Sequence, residues 1–164
     1  MYSTGSRSSI SAAIGDINND YRSDIVTVNY DANSIDVLLG YDESFPGQIT
    51  HPTGRYPEST IVCDLNNDTR LDIVDTNEYE NTLNIHLGHG NGFFAERMKF
   101  PIGRGPHSLA FGDFDNDGDI DLILVNHEAE VQLLSNLRQG QFVDHTSESG
   151  INLSEGKSRL ISFK

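Results

Sequence analysis

Along most of the chain apolar and polar residues alternate with a period of two, and the alternation stops and restarts in the same way three times. Runs of β-formers at Ile25–Asn29, Ile73–Asn77 and Leu122–Asn126 each follow a short apolar run ending in a small residue, at Ser9–Gly15, Ser59–Cys63 and Ser108–Gly112. After each comes a polar turn and a third alternating stretch, at Ser34–Gly40, Thr82–Gly88 and Glu130–Asn136, with starts 48 residues apart (82 − 34, 130 − 82). Alternation punctuated by Gly and Asn predicts half-buried strands, and no segment carries a persuasive helical period. A fourth, outer strand is expected at Gln48–Pro52, Phe93–Pro101 and Gln141–His145. Four short strands per unit and no helix predict an all-β fold of four-stranded antiparallel propeller blades, with the first strand innermost. Units this small cannot bury a core alone and must stack on a neighbour.

Between the first and second strand of every unit lies one acidic segment. Asp16-Ile-Asn-Asn-Asp-Tyr-Arg-Ser-Asp24 recurs as Asp64-Leu-Asn-Asn-Asp-Thr-Arg-Leu-Asp72 and as Asp113-Phe-Asp-Asn-Asp-Gly-Asp-Ile-Asp121. The first aspartates are 48 and 49 residues apart (64 − 16, 113 − 64). Each copy places carboxylate or amide oxygens at positions 1, 3, 5 and 9, around an apolar residue at position 2. A hard cation such as calcium takes about six to eight oxygens, and alternate side chains of a tight loop supply most of them. The bland alternative is a turn made by side-chain to backbone hydrogen bonds without an ion.

Composition narrows the function classes. A net charge of −14 argues against nucleic acid and against anionic membrane surfaces. Much of that charge sits in the three loops, where close carboxylates repel one another unless a cation lies among them. The single cysteine, Cys63, excludes an internal disulfide and, standing where Gly15 and Gly112 stand, reads as a small buried strand-end residue. No stretch approaches the ~18 apolar residues of a membrane span. The first residues lack the apolar core of a signal peptide, which leaves a cytosolic protein or a piece of a longer chain as expectations.

The motif Phe111-Gly112-Asp113-Phe-Asp-Asn-Asp-Gly-Asp-Ile-Asp121-Leu-Ile-Leu-Val-Asn126 and its two echoes resemble FG-GAP repeats, the calcium-binding blades of integrin α-subunit propellers, in their VCBS-like form. The Gly-Ala-Pro triplet after the second strand is replaced by Val28-Asn29-Tyr30, Thr76-Asn77-Glu78 and Val125-Asn126-His127, which favours the VCBS-like branch. The resemblance implies blades at 1–52, 53–101 and 102–150, with 151–164 opening a fourth repeat of a propeller of about seven blades. It also implies up to three calcium ions. Side chains of Asp16, Asn18, Asp20 and Asp24 with the Arg22 carbonyl would form one site. Asp64, Asn66, Asp68 and Asp72 with the Arg70 carbonyl would form the second, and Asp113, Asp115, Asp117 and Asp121 with the Asp119 carbonyl the third. Position 6 favours glycine, which takes positive φ without strain. Gly118 meets that need, whereas Tyr21 and the β-branched Thr69 do not. The third loop also has one more ligand carboxylate, and the first two carry an Arg at position 7. The expected affinity order is therefore third, first, second.

By resemblance the chain is a non-enzymatic, adhesion-type segment at the cell surface or outside the cell, with structural calcium and a face for a protein or glycan ligand. Its other partners would be further blades of a parent chain or further copies of itself. One alternative is a fragment of a propeller enzyme acting on extracellular polysaccharide or another polymer, which requires a His/Tyr/carboxylate cluster on one face. Another is a structural spacer. His107 and His127 are a minor candidate pair for the enzyme reading, while His86 and His89, on a strand and its turn, are not expected to converge. Asn67-Asp-Thr69 and Asn152-Leu-Ser154 match the N-glycosylation pattern, the first inside a metal loop where a glycan would obstruct it.

Overall fold

The computed structural model describes residues 9–42, 44–127, 131–137 and 141–147. The expected fourth-repeat segment at 151–164, Asn152, and the start of the chain lie outside them. Twelve strands form three antiparallel sheets, each in simple sequential order. The first contains β1 (Ser9–Gly15), β2 (Asp24–Asn29), β3 (Ser34–Tyr41) and β4 (Ser44–Pro52). The second contains β5 (Pro57–Cys63), β6 (Asp72–Asn77), β7 (Thr82–His86) and β8 (Met98–Pro101). The third contains β9 (Pro106–Gly112), β10 (Asp121–Asn126), β11 (Val131–Asn136) and β12 (Phe142–Asp144). No α-helix occurs among the described residues.

Register repeats along with order. The residue before each acidic loop pairs with the loop's ninth residue: Gly15 with Asp24, Cys63 with Asp72, Gly112 with Asp121. Each first strand also carries an irregularity near its start, between Ser9 and Ser11, between Pro57 and Ser59, and opposite Val125 and Asn126. The first strands are the ones that neighbour each other from sheet to sheet, β1 against β5 and β5 against β9. The Thr60 N–H on β5 donates to Ser11 Oγ on β1 at 3.2 Å.

Period-two alternation explains how the sheets stack. On β6, Ile73 packs with Ile17, Val26, Val28, Ile35 and Val37 of the first sheet. Its neighbour Val74 points the other way, into a cluster with Leu83, Ile85, Leu109, Leu122 and Leu124 that joins the second and third sheets. The middle sheet is thus covered on both faces, and every residue of β6 is buried. Cys63 lies in the second cluster, and burial pushes its thiol up to about 12, with the Asp72 and Asp64 charges adding to the effect. The outer faces retain exposed apolar side chains, Ile10 and Ile14 on β1, Phe111 and Val125 on the third sheet.

The fourth strand of the second sheet departs from the sequence pattern. It spans Met98–Pro101, not Phe93–Pro101, and β7 ends at His86 instead of Gly88. The intervening chain makes one bridge, Gly88 to Phe94, and folds inward. Phe94 packs on the cluster containing Leu39 and Ile49 of the first sheet, and Gly92 sits close to the same two side chains. Apolar burial between sheets outcompetes extension of the edge strand there. The expected start of β11 at Glu130 lies outside the described residues, and β12 covers a shorter stretch than Gln141–His145.

Candidate metal centre

Each acidic loop leaves one strand of a hairpin and returns on the next. Its ninth residue (Asp24, Asp72 or Asp121) is fully buried. One oxygen of each accepts the N–H of position 2: Ile17 at 2.8 Å, Leu65 at 2.9 Å, Phe114 at 2.9 Å. The other accepts an N–H from the end of the third strand: Gly40 at 2.7 Å, Gly88 at 2.8 Å, Asn136 at 2.9 Å. The carboxylate ties the loop across two strands, and its remaining lone pairs can still serve a cation. The close approach needs glycine in two repeats. A Cβ on Gly40 would lie 2.4 Å from the Ser23 carbonyl oxygen, and one on Gly88 2.1 Å from that of Leu71. Asn136 fills this slot in the third repeat, where its Nδ2 donates to the matching Ile120 carbonyl at 3.1 Å and to that of Leu65 at 2.8 Å.

The first aspartates gather the backbone of the turn. Asp16 accepts the N–H groups of Asp20 and Tyr21 at 2.9 and 2.7 Å, and Asp64 those of Asp68 and Thr69 at 3.0 and 2.7 Å. Asp113 accepts that of Gly118 at 3.1 Å. Positions 4 and 6 have positive φ in all three loops: Asn19 58° and Tyr21 67°, Asn67 58° and Thr69 68°, Asn116 61° and Gly118 89°. Tyr21 and Thr69 therefore adopt the same left-handed turn as Gly118, although their side chains oppose it. The hydrogen bonds to the first aspartate hold them there.

In the third loop, carboxylate oxygens of Asp113, Asp115 and Asp117 lie within 4.8 Å of one another. That is the span of two oxygens each about 2.4 Å from one ion. The set is acceptor-only, oxygen-rich and exposed, which fits a hard divalent cation. Asp117 accepts the Asp119 N–H, which favours its charge, yet desolvation and the Asp115 and Asp119 charges push its carboxyl above the ordinary range. The second loop behaves in the opposite way. Desolvation opposes ionisation of Asp68, but the Arg70 guanidinium, with Nη2 at 2.5 Å and Nε at 3.1 Å, holds its carboxyl below the ordinary range. Asn66 Nδ2 also donates to Asp68 at 3.1 Å, as Asn18 does to Asp20 in the first loop, where Arg22 Nη1 lies 3.5 Å from Asp20. Carboxylates in the first two loops thus have internal partners, while those of the third crowd together. Position 7 is buried at Asp119, whose Oδ1 accepts from Asn67 Nδ2 at 2.7 Å, linking the second and third loops. That bond also occupies the side chain of the glycosylation-like Asn67.

A second cluster lies at the other end of the strands. Tyr30, Glu78 and His127 each follow the asparagine that closes a second strand. Tyr30 Oη donates to Glu78 Oε2 at 2.7 Å, and His127 Nε2 is 3.4 Å from Glu78 Oε1. His107 Nε2 is 3.0 Å from His127 Nδ1, and its Nδ1 is 3.5 Å from Glu58. Tyr30 stacks on Tyr56 with ring centres 4.8 Å apart, Tyr56 meets Tyr79 edge-on at 5.9 Å, and Arg55 lies 4.8 Å over Tyr79. The bond to Glu78 pushes Tyr30 up to about 12 and holds Glu78 below its ordinary range. Sequence reading retained only the two histidines. Tyr30, Tyr56, Glu58, Glu78 and Tyr79 were missed, although the first, the fourth and His127 share one slot of the repeat. His86 and His89 do not meet. His86 instead donates or accepts at 2.8 Å with the buried Asp75.

Three stacked four-stranded sheets, each with an acidic hairpin loop in one register, are the blades of a β-propeller-type repeat protein. An FG-GAP-like repeat matches residues 16–74 and again 64–124, and the chain belongs to that family. Each matched unit runs from one acidic loop through the next, so it straddles two sheets. No curated protein matches the chain.

Two outcomes follow from the loop geometry. Gly118→Thr should destabilise the protein by about 1–2 kcal/mol, the cost of a left-handed non-glycine residue, while Thr69→Gly should not destabilise it. Urea midpoints of the two variants measure this. The second concerns Asp72, whose carboxyl burial raises to about 6 against the N–H bonds from Gly88 and Leu65, with the Asp68 and Asp64 charges adding to the rise. The folded state holds this proton more tightly than the unfolded chain, whose aspartates titrate near ~3.9. Without metal, the Asp72 contribution to stability therefore grows as pH falls through about 6 and levels off below ~4. Thermal melts in EDTA from pH 7 to 4 should show that increment in the wild type and not in Asp72→Asn.

Proposed function

We propose that the chain is a calcium-stabilised, non-enzymatic propeller segment that uses its turn face to recognise a protein or glycan. The observation carrying the calcium reading is the convergence of Asp113, Asp115 and Asp117 in one exposed loop. Asp113, Asp115, Asp117 and Asp121, with the Asp119 carbonyl, would hold the strongest ion. Asp16, Asn18, Asp20 and Asp24 with the Arg22 carbonyl, and Asp64, Asn66, Asp68 and Asp72 with the Arg70 carbonyl, would hold weaker ones. Calcium bound there neutralises crowded carboxylates and stiffens the hairpin. Sites of modest affinity suit the calcium-rich exterior of cells, which supports a place at the cell surface or outside it. The exposed apolar faces of the first and third sheets support further blades, or further copies, as neighbours.

The aromatic turn cluster supports recognition. Tyr56 and Tyr79 offer ring faces and edges, and Arg55 and Arg104 offer donors beside them, in a hollow of 430 Å³. Rigid aromatic anchors with adjacent polar groups bind sugars and protein side chains at small entropic cost. The same cluster meets the geometric condition of the enzyme reading. Tyr30 is raised and Glu78 lowered, so these two groups titrate further from neutral pH than usual, which weighs against them as the acid and base of that chemistry. A general acid or base works best near the operating pH.

Thermal unfolding in EDTA, in millimolar calcium and in magnesium tests the metal reading. Calcium at ~100 times Kd should add roughly 2.7 kcal/mol per site, magnesium should add much less, and Asp117→Ala should remove the largest part. A calcium shift unchanged by Asp117→Ala would overturn the assignment. Binding to a panel of immobilised oligosaccharides in calcium tests the face. Tyr79→Ala should weaken any binding roughly tenfold, consistent with about 0.5–1.5 kcal/mol for an aromatic contact. Binding indifferent to Tyr79→Ala would remove this face from the reading, and a panel with no binder would turn it to protein ligands.

A further inference from the structure

A wedge between the first and second sheets contains polar atoms with no hydrogen-bond partner among the described residues. It has a volume of 520 Å³ and is lined by His51 and Pro52 at the end of β4, by His86 on β7, by Phe94 and Arg97 on the approach to β8 and by Lys99 on β8. Two buried side-chain nitrogens here, His51 Nε2 and Arg97 Nη1, have no hydrogen-bond partner among the described residues. A buried guanidinium N–H left without an acceptor is costly, so Arg97 Nη1 calls for an acceptor from outside the described residues. Apart from the exposed Glu96, the other charges of the wedge are already matched. Lys99 Nζ is 2.9 Å from Glu80, and His86 is paired with Asp75. Glu80, which feels the charge of Arg97, also accepts from the Arg55 N–H. Burial, with the neighbouring His86, holds His51 below its ordinary range against the pull of Asp36, so it contributes a neutral ring near pH 7.

One uncommitted cation selects a single negative charge. The flat fork of Arg97 matches a carboxylate better than a tetrahedral dianion, which the exposed Glu96 on the rim would repel more strongly. Part of the lining is apolar. Phe94 stands edge-on to His51 at 5.1 Å and to His86 at 6.4 Å, and Pro52 lies beside them. We infer that this wedge is a binding site for a small organic monocarboxylate, with Arg97 taking the carboxylate, His51 Nε2 completing its hydrogen bonds and Phe94 and Pro52 covering the hydrocarbon body. The site is separate from the acidic loops and the turn face, so it stands or falls independently of calcium binding.

Side-chain NMR of the intact chain, titrated with benzoate, benzamide and inorganic phosphate, tests it. Benzoate should shift the Arg97 and His51 resonances saturably, with benzamide and phosphate at least tenfold weaker. Arg97→Gln should cost benzoate at least tenfold in affinity, and His51→Phe, which keeps the ring, should cost less. Equal binding of benzoate and benzamide would overturn the carboxylate assignment. Phosphate binding tighter than benzoate, or benzoate shifts confined to other residues, would overturn the site. Should Arg97→Gln fail to fold, the benzoate-to-benzamide ratio on the wild type decides.

Discussion

A buried aspartate that accepts one N–H from its own loop and another from the third strand is the contact on which the rest of each unit depends. An ionised or protonated carboxyl in this place is costly unless both oxygens are used, and here each has a backbone donor. Asparagine would present one acceptor and two donors, so it could not satisfy both N–H groups. Once Asp24, Asp72 or Asp121 is fixed, the loop must reverse within eight residues. In the first two loops the first aspartate then accepts the amides of positions 5 and 6, and in the third that of position 6. The metal-like arrangement of positions 1, 3 and 5 follows from a hydrogen-bonding solution that the backbone needs in any case.

The three copies differ in what lies over them. In the first two, position 2 is a buried aliphatic, Ile17 or Leu65, seated in an inter-sheet core. In the third, Phe114 is half-buried against Gly112, and Asp113, Asp115 and Asp117 are exposed. The covered loops supply their own countercharge through Arg22 and Arg70, whereas Asp113, Asp115 and Asp117 of the uncovered one accept only from backbone N–H groups and the Ser135 hydroxyl among the described contacts. Electrostatic need and accessibility therefore coincide in the same loop.

Strand order, the acidic loops and the alternation behind the two cores were legible because each rests on local spacing. Less legible were features decided between sheets. Nothing in the alternation of Phe93–Pro101 tells that Phe94 turns onto the core beneath the first sheet and shortens β8. The preference of position 6 for glycine was a sound local rule, but Tyr21 and Thr69 obey the two N–H bonds to Asp16 and Asp64 instead. His86 was set aside because it could not meet His89. On a sheet the relevant neighbour is diagonal, and Asp75, which pairs with Asn84, lies within reach of a side chain two residues along. The Tyr30, Glu78 and His127 slot could have been found by aligning the turns of the repeats instead of scanning for known motifs.

The aspartate contacts span only seven and sixteen residues of chain. The first three strands of a unit can thus close on themselves at small loop entropy, before any sheet has stacked. Stacking then joins pieces that already have the right register. Each unit is a place where ordering can begin, and the inter-sheet cores carry it along the array as nearest-neighbour steps. Assembly in either direction along the chain is open to such a molecule, and the middle unit, which gains a core on both faces, is the one whose ordering rewards its neighbours most.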